Sequence, residues 1–301
     1  MNKPLIVLAG ATGNLGERIA QNLAGQQVKV RVLIRPGSCL KKIKSLKHMG
    51  AELHDVDFSS SDNLIKAVEG GACVISALSG LHPVIIDAQT KLLEATMAAK
   101  VPRFFPSDFS IDYTKLTPGT NRNLDVRREF NRRVDQAPIA ATSILNGAFA
   151  DMLTGQAPIV LFKFKRVLYW GSPDQKMDFT TIEDTAEFTA AAAVAEQNPR
   201  FLRIAGDQVS VRDLARQMTE ITGTEFKLVS AGALSVLDAL IKLTRKLMPV
   251  TDDLYPPWQG MQYLHNMYSG LAKFQSVDND RFFKKRWTTT QDVLSKHFSS
   301  R

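Results

Sequence analysis

Three glycines near the N-terminus have the spacing of a phosphate-binding turn. Gly10, Gly13 and Gly16 lie between the apolar run PLIVLA and an amphipathic segment that begins at Asn14. In a turn from strand to helix, the first glycine permits a tight bend and the second lets backbone N–H groups approach a pyrophosphate. The third lets the helix pack close to the strand, and the helix N-terminus adds unpaired N–H groups and a partial positive charge. The pattern therefore predicts a dinucleotide site.

Arg35 indicates which dinucleotide is preferred. The second apolar run, VKVRVLI, ends at Ile34, and Arg35 follows directly. An acidic residue at this place binds the ribose hydroxyls of NAD, whereas an arginine can pair with the 2′-phosphate of NADP through forked hydrogen bonds. Lys42 follows closely and adds positive potential. NADP(H) is the expected cofactor, and an ordinary surface arginine in a loop is the alternative.

Residues that follow the predicted strands are expected to line the same crevice, because open parallel sheets bind ligands at the carboxyl ends of their strands. The expected cofactor contacts are Gly10, Thr12, Gly13, Asn14, Leu15, Gly16, Arg35, Lys42, Asp57, Phe58, Ala77, Leu78, Ser79, Pro106, Ser107 and Asn146. For Ser107 a structural role in a cap or turn is an equal alternative. Asn146 either touches the ligand or packs at the end of its strand.

The first half of the chain alternates between apolar runs and helix-like segments. The predicted strands are PLIVLA, VKVRVLI, AELHDV, ACVISAL, RFF and PIAATSIL, and helices are expected near 14–25, 38–49, 60–69, 83–100 and 122–136. This alternation predicts an α/β fold, a doubly wound parallel sheet of Rossmann type with helices on both faces. The expected domains are a cofactor-binding domain over 1–150 and a smaller substrate lobe over 151–301, with segments near 180–222 returning to the first domain.

Composition limits the partners that we expect. The 301 residues include 38 Lys and Arg against 30 Asp and Glu, a net charge of +8 that favours anionic ligands. The basic residues form separate clusters, so no nucleic acid partner is expected. No apolar stretch is long enough for a membrane span and no secretory signal is evident, so a cytoplasmic location is expected. Cys39 and Cys73 lack the spacing of metal ligands, and neither a metal site nor a disulfide framework is expected.

Several segments together resemble NmrA-like and isoflavone-reductase-like proteins, atypical members of the short-chain dehydrogenase/reductase superfamily. They are GATGNLG at 10–16, the strand-ending Arg35, KVPRFFPSDF at 100–109, ILNGAFADML at 144–153 and the C-terminal DNDRFFKKRWTTTQDVL. The resemblance implies a Rossmann domain that binds NADP(H) and a small C-terminal lobe that frames a substrate cleft. For the enzymatic branch it implies hydride transfer to an aromatic or conjugated small molecule.

The resemblance leaves the catalytic group open. In the reductases of this family, a lysine at the start of the helix after FPS(D/E)F lies near the nicotinamide and helps to move a proton. Counting back from ILNGAFADM without gaps places Arg127 at that position. Arginine stays charged and is a poor general acid, but it can hold the cofactor ribose or stabilise an oxyanion. Lys115 and Tyr113, on the preceding loop, are the alternative catalytic groups.

The expected substrate contacts are Asp108, Phe109, Phe149 and Tyr263. Tyr263 belongs to the stretch DDLYPPWQGMQYLHNMYSG, whose aromatic and methionine side chains can line a pocket for a flat apolar ligand or form core. The sequence thus predicts an NADPH-dependent reductase of a small aromatic, quinone-like or enone substrate. The alternative is a regulator of the NmrA type that senses NADP(H) without chemistry and binds a protein partner.

Overall fold

The N-terminal strands form one parallel sheet in the computed structural model, which describes residues 3–248 and 252–299. These strands are β1 (Leu5–Ala9), β2 (Lys29–Ile34), β3 (Glu52–Asp55), β4 (Cys73–Ser76), β5 (Arg103–Phe105) and β6 (Ala140–Ala141). Their order is β3-β2-β1-β4-β5-β6, and each neighbouring pair runs parallel. This order, with its reversal between β1 and β4, is that of a Rossmann fold. The predicted fold class is confirmed.

Helices alternate with these strands as predicted. They are α1 (Asn14–Ala24), α2 (Leu40–His48), α3 (Ser61–Val68), α4 (Gln89–Ala98) and α5 (Arg122–Gln136). α1 shows why the prediction works, because its buried residues Gly16, Ile19, Ala20 and Leu23 recur at helical spacing. The helix expected over 83–100 differs at its beginning, since Pro83–Ala88 is wound as a π-helix that continues directly into α4.

One large cluster of the apolar core lies against one face of the sheet. Val7, Val74 and Phe104 project from β1, β4 and β5 into a cluster that also contains Leu64, Leu92 and Phe130 from the covering helices. All six of these side chains are fully buried. Burial on this scale fixes the sheet register, so the carboxyl ends of the strands present their loops at one edge.

The predicted strand PIAATSIL is split in the structure. β6 completes the six-stranded sheet, whereas the next strand pairs elsewhere. The later strands are β7 (Ser143–Leu145), β8 (Ala148–Phe149), β9 (Val160–Leu161), β10 (Arg166–Tyr169), β11 (Met177–Thr180), β12 (Phe201–Arg203), β13 (Asp207–Val209) and β14 (Lys227–Ser230). They form sheets of order β14-β10-β9, β13-β11-β8 and β12-β7. Short 3₁₀ turns at 150–154 and 162–164 separate β8, β9 and β10.

The later helices are α6 (Ile182–Val194), α7 (Val211–Thr222), α8 (Leu234–Leu247), α9 (Pro257–Tyr268) and α10 (Thr290–Ser299). α7 begins with a capping box formed by Ser210 and Asp213, and it ends at Gly223 in the left-handed conformation.

The chain forms two compact units. The first contains 1–109, 126–144 and 182–202, and the second contains 110–125, 145–181 and 203–301. The segment 182–202, which carries α6, belongs with the six-stranded sheet, whereas 203–222 belongs with the second unit. α5 begins in the second unit and continues in the first. The division into a cofactor domain and a substrate lobe is a functional prediction that these bounds do not test.

Candidate functional site

The turn after β1 brings α1 unusually close to the strand. Gly10 has φ +86°, a conformation that favours glycine, and a Cβ there would lie 2.5 Å from the Ala77 carbonyl oxygen. A Cβ on Gly16 would overlap the Gly10 carbonyl. The Gly13 N–H donates to this same carbonyl oxygen at 3.0 Å. Gly10 and Gly16 therefore have the structural roles that the sequence predicts for them, a tight bend and a close approach of the helix, whereas the approach of Gly13 to a pyrophosphate stays a prediction.

The N-terminus of α1 has no side-chain cap. Gly13 is the N-cap residue, with extended backbone (φ −80°, ψ 166°), and no side chain of a described residue accepts a hydrogen bond from the first helical N–H groups. Asn14 is exposed and its side-chain oxygen contacts Arg18, while Thr12 and Leu15 are half-buried. Backbone N–H groups without an internal acceptor, added to the positive end of the helix dipole, make an anion site. A pyrophosphate fits this place.

The loop after β2 carries an available guanidinium. Arg35 is exposed, and its side chain forms no ion pair with a residue that the structure describes. Ser38 folds the loop back, because its N–H and its hydroxyl donate to the Arg35 carbonyl at 3.1 and 2.7 Å. The Lys42 ammonium instead contacts the Glu17 carboxylate in the first turn of α1. Of these two cations, Arg35 is the one left available to a phosphate.

The loop after β3 is closed by its own side chains. The Asp57 carboxylate accepts from the Ser59 hydroxyl at 2.7 Å and from the Ser59 N–H at 2.8 Å, and these hydrogen bonds lower the pKa of Asp57. Phe58 packs against the apolar core of the first unit. Contacts from this loop to an adenine stay a prediction, and the carboxylate is already committed to the turn before α3.

The loops after β4 and β5 are tied to each other. Ala77, Leu78 and Ser79 follow β4, and Pro106 and Ser107 follow β5. The Ser107 hydroxyl donates to the Leu78 carbonyl at 2.6 Å, and only 5% of Ser107 is exposed. The structural role that was the alternative for Ser107 is therefore present, and a direct contact to the cofactor stays a prediction.

Asp108 is the centre of a buried polar network in the first unit. It is 1% exposed, and its carboxylate accepts from the Asn131 amide at 2.6 Å and the Ser143 hydroxyl at 2.5 Å. Arg200 donates to Ser143 at 2.6 Å and to an exposed carboxylate, Asp135, at 2.8 Å. The network joins the loop after β5 to α5 and to the segment before β12. Substrate contact by Asp108 stays a prediction, since these hydrogen bonds give its carboxylate a structural function; Phe109 beside it is half-buried.

The candidate catalytic residues differ in burial. Arg127 lies on α5 in the first unit, is 8% exposed, and accepts at its carbonyl from the Asn131 amide at 3.1 Å. Tyr113 and Lys115 belong to the second unit, where Tyr113 is 2% exposed and Lys115 is exposed. Their catalytic roles stay predictions.

Asn146 in the second unit has a buried amide without hydrogen bonds. It is 0% exposed, and neither its side-chain nitrogen nor its oxygen has a partner among the described residues. A buried amide in this state costs about 1–3 kcal/mol, so a ligand or a water is expected to satisfy it. Gly147 follows with φ +67°, and a Cβ there would overlap the Asp178 carbonyl. Phe149 and Tyr263, also in this unit, are half-buried, and the Tyr263 ring lies 6.5 Å from that of Tyr255.

Sequence reasoning missed the amide cluster that holds the beginning of α5. The Asn121 side-chain oxygen accepts from the Leu124 N–H at 3.2 Å and from the Gln259 amide at 2.8 Å. Gln262 accepts from the Arg122 N–H at 3.1 Å. The signal for this cluster was the spacing of Gln259 and Gln262 on a helix otherwise rich in apolar residues. α9 thus holds the first turn of α5 within the second unit.

No three metal-ligating side chains come together within residues 3–248 and 252–299. In the same part of the chain, every helix is too short or too polar to cross a bilayer. The sequence profile of the NmrA-like family matches residues 2–291. This chain belongs to the NmrA-like family.

Known relatives extend the comparison. Pinoresinol reductase 1 of Arabidopsis thaliana is 31% identical over 202 residues, a match that covers 62% of this chain and 64% of the relative, less than two thirds of its length. A solved structure described as AtPrR2 with NADP+ and (+)pinoresinol has a TM-score of 0.82 at 22% identity and covers 99% of both chains. An NADPH-dependent quinone oxidoreductase from Escherichia coli has a TM-score of 0.73 at 20% identity, covering 97% of this chain and 99% of its own. These structures share the fold.

Replacing Arg35 tests the preference for a 2′-phosphate. Arg35→Ala is expected to weaken NADPH binding by about ten- to one-hundredfold, because a charge-assisted hydrogen bond contributes about 1.5–3 kcal/mol. NADH binding should change little, since NADH lacks the phosphate. Titration calorimetry with both nucleotides measures the two affinities. Lys47→Ala, which removes an exposed cation from α2, is the control. An equal loss of affinity for NADPH and for NADH would contradict the assignment of Arg35 to the 2′-phosphate.

Adding one methyl group tests the close approach of α1. Gly16→Ala is expected to lower stability by about 1–3 kcal/mol, because the methyl group overlaps the Gly10 carbonyl, and to weaken NADPH binding with it. Gly260→Ala in α9 is the matched control, since a Cβ there meets open space and alanine favours the helix. Urea unfolding and nucleotide titration measure both effects. If Gly16→Ala behaved like Gly260→Ala, the turn would not be the constraint described.

Proposed function

We propose that this protein is an NADPH-dependent reductase that transfers a hydride to a small aromatic, quinone-like or enone substrate. The observation that carries the proposal is the uncapped N-terminus of α1 beside the glycine turn, with the available Arg35 guanidinium at the end of β2. These residues fit NADP(H), which is the cofactor and supplies the hydride when bound. The glycine turn holds the pyrophosphate, and Arg35 holds the 2′-phosphate.

The relatives support this class of substrate. The names of the curated relatives specify the reduction of pinoresinol and lariciresinol, which are aromatic plant compounds. A structure of the same fold is described as an NADPH-dependent quinone oxidoreductase. Both descriptions name a reductase of an aromatic or quinone compound. The acceptor of this chain is proposed to share that chemistry.

Arg127 is proposed to stabilise negative charge on the substrate. When a hydride adds to a quinone or an enone, the electron pair moves to the carbonyl oxygen, which becomes an oxyanion. A buried guanidinium can stabilise that oxygen but cannot donate its own proton at accessible pH. The proton that completes the product then comes from water. This role favours acceptors whose anion is stable enough to wait for solvent, such as quinones, over ethers that need a general acid.

A second candidate is a sensor of NADP(H) that performs no chemistry. Arg127 favours it, because arginine stands where the resemblance expects a proton-transferring lysine. In that case the buried guanidinium would hold the cofactor, and a protein partner would recognise the bound state.

Turnover with a substrate panel tests the reductase against the sensor. Purified protein, NADPH and a panel of quinones, enones and aryl ethers are expected to consume NADPH, seen as loss of nicotinamide absorbance, with quinones the fastest. Tight NADPH binding with no turnover across the panel would favour the sensor. Capture of a protein partner that depends on NADPH would then support it directly.

Variants of Arg127 separate charge stabilisation from proton transfer. Arg127→Met is expected to lower kcat by about a hundredfold, since loss of one oxyanion donor costs about 2.7–4 kcal/mol. Arg127→Lys keeps the charge and should retain most of the activity, with a fall at high pH as the ammonium loses its proton. The wild type should lack that fall.

The control is Arg132→Met, an exposed arginine one and a half turns along the same helix. Steady-state rates across a pH series with a quinone acceptor make the comparison. An Arg127→Met variant as active as Arg132→Met would remove Arg127 from the mechanism.

A further inference from the structure

Gln89 is a buried polar side chain at the point where the π-helix Pro83–Ala88 becomes α4. It is 1% exposed and lies four residues after Ile85 and three before Leu92, both of which are buried apolar residues. We propose that Gln89 is a positioning residue that holds the wall of the cofactor site on the nicotinamide side. The inference rests on the proposed NADPH-dependent function.

The amide of Gln89 joins two segments of backbone. Its nitrogen donates to the Ile85 carbonyl in the π-helix at 3.0 Å, and its oxygen accepts from the Ser107 N–H at 2.9 Å. Ser107 in turn donates from its hydroxyl to the Leu78 carbonyl at 2.6 Å. The chain of hydrogen bonds runs from the helix through the loop after β5 to the loop after β4. An aliphatic side chain of the same size could pack there but would make neither bond.

The π-helix explains why Gln89 can reach Ser107. Pro83 is in the first turn, and Gly80 lies so close to Val84 that a Cβ on Gly80 would come within 2.5 Å of that side chain. A π turn contains one more residue than an α turn, so it rotates the following helix relative to a continuous α-helix. Gln89, the residue that follows the π-helix, faces inward. π turns of this kind often occur at functional sites.

The sheet order indicates which half of the cofactor these loops face. Arg35 follows β2, on one side of the reversal between β1 and β4, and it is assigned to the phosphate on the adenosine ribose. A dinucleotide that crosses the crevice at the reversal places its nicotinamide half toward β4 and β5. Leu78 and Ser107 follow those two strands. Gln89 therefore supports the nicotinamide half and has no contact with the adenosine half.

Because Gln89 is proposed to support the nicotinamide half and not the adenosine half, its role can be tested with nucleotides alone, without a substrate. Gln89→Met keeps the volume of the side chain and removes both hydrogen bonds. NADPH affinity, followed by nicotinamide fluorescence, is expected to fall roughly tenfold, since the Ser107 N–H loses its acceptor. Affinity for 2′,5′-ADP, which carries the phosphates but no nicotinamide, should stay within about twofold by calorimetry. A structural defect alone would lower the affinity for both ligands.

Coupling to Ser107 provides a second readout. Ser107→Ala breaks the bond to Leu78, and if Gln89 acts through Ser107, the double variant should lose less NADPH affinity than the product of the two single losses. Gln217→Leu is the control, because Gln217 is also a buried glutamine (7% exposed) but belongs to the second unit. If Gln89→Met does not fold, Gln89→Glu replaces it, because a protonated carboxyl offers a donor and an acceptor in the same places. The loss of NADPH affinity in Gln89→Glu should be smaller than the roughly tenfold loss expected for Gln89→Met.

The outcomes separate this inference from the proposed function. A wild-type protein that does not bind NADPH would overturn the proposed function and this inference with it. Wild-type binding together with an unchanged NADPH affinity in Gln89→Met, or an equal loss for NADPH and 2′,5′-ADP, would overturn the role of Gln89 alone. A double variant whose loss of NADPH affinity equals the product of the two single losses would also contradict this role.

Discussion

The cofactor site depends on how closely α1 approaches the turn after β1. Because Gly16 has no side chain, the first turn of α1 can lie against the Gly10 carbonyl, directly beyond the central strand of the sheet. The opposite side of α1 is held by α6, where Arg18 and Asn22 reach Glu183 at 3.1 Å. A segment more than 150 residues away in the chain thus fixes the helix. The uncapped N–H groups are consequently held at a defined place rather than exposed on a mobile end.

The polar groups at the edge of the sheet have two kinds of role: some are available to bind a ligand, and others hold the loops in place. Arg35 is exposed and forms no ion pair with a described residue, whereas Lys42 is paired with Glu17. On the other side of the reversal, Ser107 and Asp108 turn inward, to Leu78 and to Asn131 and Ser143. A buried carboxylate with several donors makes its loop rigid, since each donor would lose its partner if the loop moved. The loops proposed to support the nicotinamide half are therefore held by their own hydrogen bonds.

Local patterns were sufficient to predict the alternating strands and helices and the glycine turn, because each depends on residues within a few positions. Local patterns could not predict the features that depend on residues far apart in the sequence. The split of PIAATSIL depends on β6 and β7 pairing with different sheets. The inward position of Gln89 after the π-helix depends on Ser107, 18 residues further along the chain. The role of Asp108 depends on Asn131, Ser143 and Arg200, which are brought together only by the fold.

The central claim is that a pyridine dinucleotide with a 2′-phosphate lies across the glycine turn. Titration calorimetry of the wild-type protein with NADPH and with NADH, under one set of salt conditions, tests it most directly. We expect saturable heat with NADPH and clearly weaker association with NADH. No heat with NADPH, or tighter association with NADH, would contradict the account.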